Sequence, residues 1–137
     1  MELLSPDDCI FHLLAKASQA GTRYWKSVVG DLGVTAVQAK VLVQLNGIES
    51  IGTGDLSRLT ALDSATLTGV LDRLEKMTLI TRTPKPEDRR ALSIQLTAKG
   101  AQLATTLYQR MPQANADFLE PLSDSESALL RNLLKRL

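Results

Sequence analysis

The chain has 137 residues, 44% of them hydrophobic, and 16 Lys+Arg against 15 Asp+Glu leave a formal net charge of +1; this suffices for one hydrophobic core but not for two independent ones. No apolar run approaches the roughly 20 residues that span a bilayer, and the acidic N-terminus lacks the basic and apolar parts of a signal peptide, so no membrane association and a cytoplasmic location are expected. One Cys and one His cannot assemble a multi-ligand metal site within one chain, and no cofactor or enzymatic activity is expected.

In chain order, Ser5-Pro6-Asp7-Asp8 reads as an N-cap, a proline at the first helical position and two carboxylates suited to the positive helix end. A helix to about Val29 follows. Its apolar residues, among them Ile10, Phe11, Leu13, Leu14, Ala17, Tyr24 and Trp25, lie on more than one side, which predicts a second surface to bury. Cys9 and His12 are three apart, helical neighbours in principle, but Asp7 and Asp8 oppose thiolate formation and argue against a catalytic dyad. Cys9 reads first as a small buried hydrophobe.

Thr35 and Gln38 spell a capping box, and Val37, Val41, Leu42 and Leu45 form the apolar stripe of the helix it opens. Asn46 to Gly54 is a break, with a short strand expected within Ser50 to Thr53, and Gly52-Thr53-Gly54 reads as a turn rather than a phosphate loop, for want of a third glycine. A short helix over Asp55 to Thr60 then precedes a turn at Ala61-Leu62. The next helix carries Leu67, Val70, Leu71, Leu74 and Met77 on one stripe at helical period. Ala65, Thr66, Gly69 and Arg73 occupy the opposite face, with Ser64 and Thr68 on its flanks. These mostly short side chains suit close approach to a major groove.

Leu79 to Thr83 is rich in β-formers, and Ala91 to Leu96 alternates, with Leu92, Ile94 and Leu96 on one face. Pro84-Lys85-Pro86-Glu87-Asp88-Arg89-Arg90 between them is expected to project as a loop. Thr97 caps a further helix that Pro112 should end or kink, and Ser123-Asp124-Ser125-Glu126 supplies a second capping box for a final leucine-rich helix. From Arg73 to Gly100 seven Lys+Arg face three Asp+Glu, an excess of four, so the rest of this +1 chain is net negative by three. That asymmetry is the footprint of a surface for a polyanion.

A helix, a tight turn, a second helix and a basic-tipped hairpin form a winged helix-turn-helix. The run DRRALSIQLTAKG after DRLEKMTLI resembles the signature of the MarR family of bacterial transcription regulators, and the likeness covers nearly the whole chain. The fold so implied is mainly α with a small β-hairpin. It is a single domain over 1–137, with the winged helix-turn-helix at about 34–100 and dimerisation helices at about 5–30 and 97–137.

The resemblance implies a homodimeric regulator of double-stranded DNA, a repressor released by a small aromatic or phenolic effector. Ser64, Thr66, Thr68 and Arg73 are then expected at the major groove. Asp88 would orient Arg90 in the minor groove, while Lys85 and Arg89 meet phosphates. His12, Tyr24 and Trp25 are the candidate effector lining, each also explicable as a core or interface residue. Some family members sense peroxide through a first-helix cysteine, which makes Cys9 the alternative switch. A winged-helix protein-interaction module without DNA binding is the remaining alternative.

Overall fold

The computed structural model describes residues 3–137. The elements in order are α1 Ile10–Val29, α2 Ala36–Leu45, β1 Ile51–Gly52, α3 Thr53–Thr60, α4 Ser64–Lys76, β2 Ile80–Lys85, β3 Asp88–Leu96, α5 Ala98–Phe118 and α6 Asp124–Leu134. They divide into two compact units, one spanning Val29–Gln109 and the other combining the chain up to Val28 with Arg110–Leu137.

The Val29–Gln109 unit holds almost all of the core. Leu42, Leu45, Leu56, Leu67, Leu71, Leu74, Leu79, Ile80 and Ile94 are fully buried there. At the start of α2 the capping box forms as its sequence dictates: the Gln38 N–H donates to Thr35 Oγ1 at 3.2 Å and the Thr35 N–H to Gln38 Oε1 at 3.0 Å. This returns the Gln38 side chain onto the backbone and lets it be buried without an unmet polar atom. Val37 is only half-buried, whereas Val41, Leu42 and Leu45 fill the core.

The turn between α3 and α4 passes through Ala61 in the left-handed region, φ 54°. Ser57 Oγ donates to the Leu62 carbonyl at 2.6 Å and fixes that corner. Gly52-Thr53-Gly54 is not a free turn: Gly52 ends β1 and Thr53 begins α3. The strand passes straight into the helix, so the glycines serve a junction.

α4 ends in a Schellman motif, with the Leu79 N–H donating to the Leu74 carbonyl at 3.0 Å and the Thr78 N–H to that of Glu75 at 2.9 Å. The left-handed position this requires is filled by Thr78, φ 60°, a conformation costly for a β-branched residue. The reversal turns two carbonyls toward the start of α5. Thr78 O accepts from Thr97 Oγ1 at 2.7 Å, and Leu79 O from the Thr97 N–H at 3.0 Å. Thr97 Oγ1 in turn accepts the Gly100 N–H at 3.0 Å, so one threonine caps α5 and ties it to the end of α4.

The sheet is antiparallel in the order β1-β3-β2. β2 and β3 pair from Ile80↔Leu96 to Pro84↔Leu92, after which the register slips and Lys85 faces Asp88. The connection is therefore only Pro86-Glu87, not the seven-residue loop expected over 84–90. Pro84 is tolerated because β2 is an edge strand, so its missing N–H removes no necessary ladder bond. The slip leaves Arg89, Arg90 and Ala91 without Cα partners, a bulge at the wing tip. Burial fades along the hairpin as it leaves the core: Ile94 is buried, but Leu92, on the same face, is exposed.

In the other unit α1 begins at Ile10, not at Pro6. Ser5 Oγ does accept the Asp7 N–H at 3.3 Å, but it caps only a three-residue 3-10 turn, which Cys9 interrupts in an extended conformation. Cys9 is thus a half-exposed junction residue whose carbonyl receives the Leu13 N–H at 3.0 Å. α5 runs through Pro112 to Phe118. Pro112 is solvent-exposed, so the hydrogen bond it cannot donate is lost on a wet side of the helix. α6 opens with the expected capping box, Glu126 N–H to Ser123 Oγ at 3.2 Å and Ser123 N–H to Glu126 Oε2 at 2.8 Å. Arg131 Nη2 reaches Asn115 Oδ1 at 3.3 Å to join α6 to α5.

Ala114 is the single buried hydrophobic of this unit among the described residues, while Phe11, Leu13, Leu129, Leu130, Leu133 and Leu134 stand exposed. The second apolar surface anticipated from α1 is thus present, and α6 adds to it.

Candidate nucleic-acid interface

The Val29–Gln109 unit carries both halves of the expected site. On α4 the buried stripe is Leu67, Val70, Leu71 and Leu74, with Met77 half-buried. Ser64, Ala65, Thr66, Thr68 and Arg73 are exposed and Gly69 half-exposed. Asp63 is the N-cap, an assignment absent from the sequence-based expectation although an acidic residue just before a helix is its usual signal. Its carboxylate accepts the Thr66 N–H at 2.8 Å through Oδ1 and the Thr66 hydroxyl at 2.7 Å through Oδ2. These two bonds, the backbone one foremost, hold the Asp63 carboxyl below its usual range.

At the wing tip Asp88, Arg89 and Arg90 are all exposed. Asp88 Oδ1 accepts the backbone N–H of Arg90 at 3.0 Å. The carboxylate therefore fixes the direction of the main chain at Arg90 rather than gripping the guanidinium, as the resemblance had suggested, and leaves the charged end outward. Lys85 departs from the expectation of a projecting tip cation: it is half-buried, and a methyl group on Gly52 would stand 2.8 Å from its Nζ.

Arg82, unlike the other expected cations of this region, is paired with carboxylates inside the fold. Its Nη2 lies 2.7 Å from Asp72 Oδ1 and 3.0 Å from Glu75 Oε1, with only 18% of the side chain exposed. Of the seven cations counted between Arg73 and Gly100, this one is neutralised internally, and it ties β2 to α4. Seven residues separate Glu75 and Arg82 across a helix end and a turn, so no helical or strand periodicity announces the pair. The hydrogen bonds from Arg82 hold the Glu75 carboxyl below its ordinary value of 4.5 against the opposing effect of burial, and the same bonds raise Arg82.

A depressed carboxylate contributes stability that is fully present above its ordinary value and is lost as pH falls through the folded-state value. Glu75→Gln should therefore lower the denaturant midpoint near neutral pH. That deficit relative to wild type should shrink once pH drops well below 4.5. Chemical denaturation of both proteins across this range checks it, and a deficit independent of pH would mean the pair contributes nothing as an ion pair.

The effector candidates lie on α1 in the other unit. His12 Nε2 is 4.0 Å from Asp7 Oδ1. Tyr24 donates to Asp117 Oδ2 at 3.4 Å and packs on Phe118 with ring centroids 5.5 Å apart. Partial desolvation, then the Asp117 charge, raises its phenol above the usual range. Twelve positions along one helix put His12 about 18 Å from Tyr24, so one chain does not gather His12, Tyr24 and Trp25 around a single small molecule. Among the described residues no His, Cys, Asp and Glu group that could hold a metal ion occurs. Among the described residues no single helix is long and apolar enough to cross a membrane.

Residues 34–92 match the family model described as MarR family. The multiple antibiotic resistance protein MarR of Salmonella typhimurium is 31% identical over 126 residues, covering 91% of this chain and 88% of that protein. A mutant MarR from Escherichia coli, solved in complex with operator DNA, superposes with a TM-score of 0.85 at 28% identity, covering 93% of this chain and 91% of that one. BpsR of Bordetella bronchiseptica, from a study of how 6-hydroxynicotinic acid regulates its DNA binding, superposes with a TM-score of 0.89 at 27% identity, over 98% and 96% of the two chains.

Proposed function

The chain belongs to the MarR family, and from that premise we propose that it is a sequence-specific, double-stranded-DNA-binding transcription regulator. In this role it acts in the cytoplasm as a homodimeric repressor released by a small aromatic effector. One observation carries the DNA-binding role: the short polar face of α4 and the outward cations Arg89 and Arg90 belong to the same compact unit, both solvent-exposed. A helix face able to approach base edges, flanked by guanidinium groups that meet phosphate or a narrow minor groove, is chemically suited to a duplex.

The division of labour follows the two units. Val29–Gln109 holds the core and the DNA-facing residues, while α6 and the first half of α1 offer leucines and Phe11 with nothing over them. A second copy covering that surface would give the assembly two α4 recognition helices, and symmetric reading of a palindromic site requires these roughly 34 Å apart, one duplex turn. An effector then acts by preferring the dimer whose recognition helices are wrongly spaced, and the difference in its two affinities bounds how far DNA is released.

Selection of bound sites from random duplexes, followed by mobility shifts at two salt concentrations and sedimentation of the free protein, tests these points together. The expected outcome is a palindromic motif, an affinity that falls steeply with salt, and a dimer at micromolar concentration. A stable monomer, or affinity indifferent to salt, would leave the protein-interaction alternative in place. Loss of the shift on titrating aromatic acids would identify the effector class.

A further inference from the structure

The two threonines on the outward face of α4 are not free hydroxyls. A threonine has one hydroxyl proton and two lone pairs. Thr66 Oγ1 lies 2.7 Å from Asp63 Oδ2, and Thr68 Oγ1 lies 2.8 Å from the carbonyl oxygen of Ser64. An ionised carboxylate and a peptide carbonyl can only accept, so in both bonds the threonine must be the donor. Each proton is spent inside the helix, and what faces outward is lone pairs and a methyl group. Asp63, itself exposed, adds two more acceptor atoms at the same turn.

Phosphate oxygens also only accept, so the Thr66 and Thr68 hydroxyls have no proton left to offer them, unlike the exposed Ser64 on the same turn. The Asp63 carboxylate moreover occupies the helix N-terminus, where an anion would otherwise be welcome, and repels a phosphate by like charge. The major groove does contain partners of the right polarity. Adenine N6 and cytosine N4 present amino donors there, whereas guanine O6 and N7 and thymine O4 are acceptors. Arg73, seven residues beyond Thr66 and exposed, is donor-only and suits guanine.

Building on the DNA-binding role proposed above, we infer that Asp63, Thr66 and Thr68 form an acceptor surface that selects amino-bearing base edges, adenine or cytosine. Asp63 is the positioning residue that sets the polarity of the Thr66 hydroxyl.

The test is site selection from random duplex pools by wild type, Thr66→Val, Thr68→Val and Asp63→Asn. Valine keeps the shape and removes the lone pairs. Each valine variant is expected to lose preference at one motif position only, by about fivefold in relative affinity, with adenine or cytosine as the base whose preference is lost. In Asp63→Asn the amide oxygen still accepts the Thr66 N–H, which turns the amide NH2 toward Thr66 Oγ1. The hydroxyl proton is then freed outward, and the preference at that position should move to guanine or thymine. A purely structural role for the cap would weaken all sites without moving the preferred base. Guanine or thymine at the position relaxed by valine, or valine variants that weaken every duplex equally, would overturn the inference while leaving the DNA-binding role intact. A wild type that enriches no motif removes both.

Discussion

Replacing Gly100 with Ala should destabilise the protein by about 2–3 kcal/mol, even though alanine in a helix is worth up to about 1 kcal/mol over glycine. Gly100 lies in the first turn of α5, and a methyl group there would stand 1.9 Å from the Leu79 carbonyl oxygen and 2.8 Å from its carbon. The obstacle is backbone, and that same oxygen accepts the Thr97 N–H at 3.0 Å. Relief requires moving the start of α5 away from the end of α4, which loses the Thr97 bonds as well as packing. Steric exclusion therefore outweighs helix propensity. Gly69→Ala is the matched control, because no atom lies within 4 Å of its would-be methyl group. There propensity acts alone, and the same substitution should stabilise by up to about 1 kcal/mol. Denaturant midpoints of the two variants, at unchanged m, should shift in opposite directions. A neutral Gly100→Ala would show that the α4–α5 junction is not as close as described.

Arg90→Ala should weaken binding to a selected operator by about 1–3 kcal/mol and relax base preference where the wing lies. Because Asp88 holds the Arg90 main chain through its N–H, Asp88→Ala should show a part of the same loss with the guanidinium still present. Arg89→Ala should instead weaken all duplexes alike and reduce the salt slope by about one unit. Lys85→Ala should do so less, since Lys85 is half-buried beside Gly52 rather than projecting. Equal operator affinity of wild type and Arg90→Ala would remove the wing from the binding surface.

Local signals were legible where a residue type answers a local need. The capping boxes at Thr35 and Ser123, the α4 stripe and the hairpin strands depend on neighbours three or four positions away, or on alternation, and all are present. What escaped depends on partners that spacing does not reveal. Arg82 looks like one more surface cation until α4 and β2 are brought together and two carboxylates enclose it. Prolines at 84 and 112 read as breakers, yet one sits on an edge strand and the other on an exposed helix face, and in both places water or empty space replaces the missing donor. Gly100 carries no signal at all in sequence, since only the approach of the Leu79 carbonyl makes its missing side chain matter.

The order of the sheet has a consequence for crowding. Its two open sides are β1, only two residues long, and β2, which bears Pro84 and the charged Arg82 and Lys85. Neither offers a stretch of free amides long enough to template another chain. The architecture of the wing thus disfavours the edge-to-edge strand addition through which copies of a sheet protein aggregate.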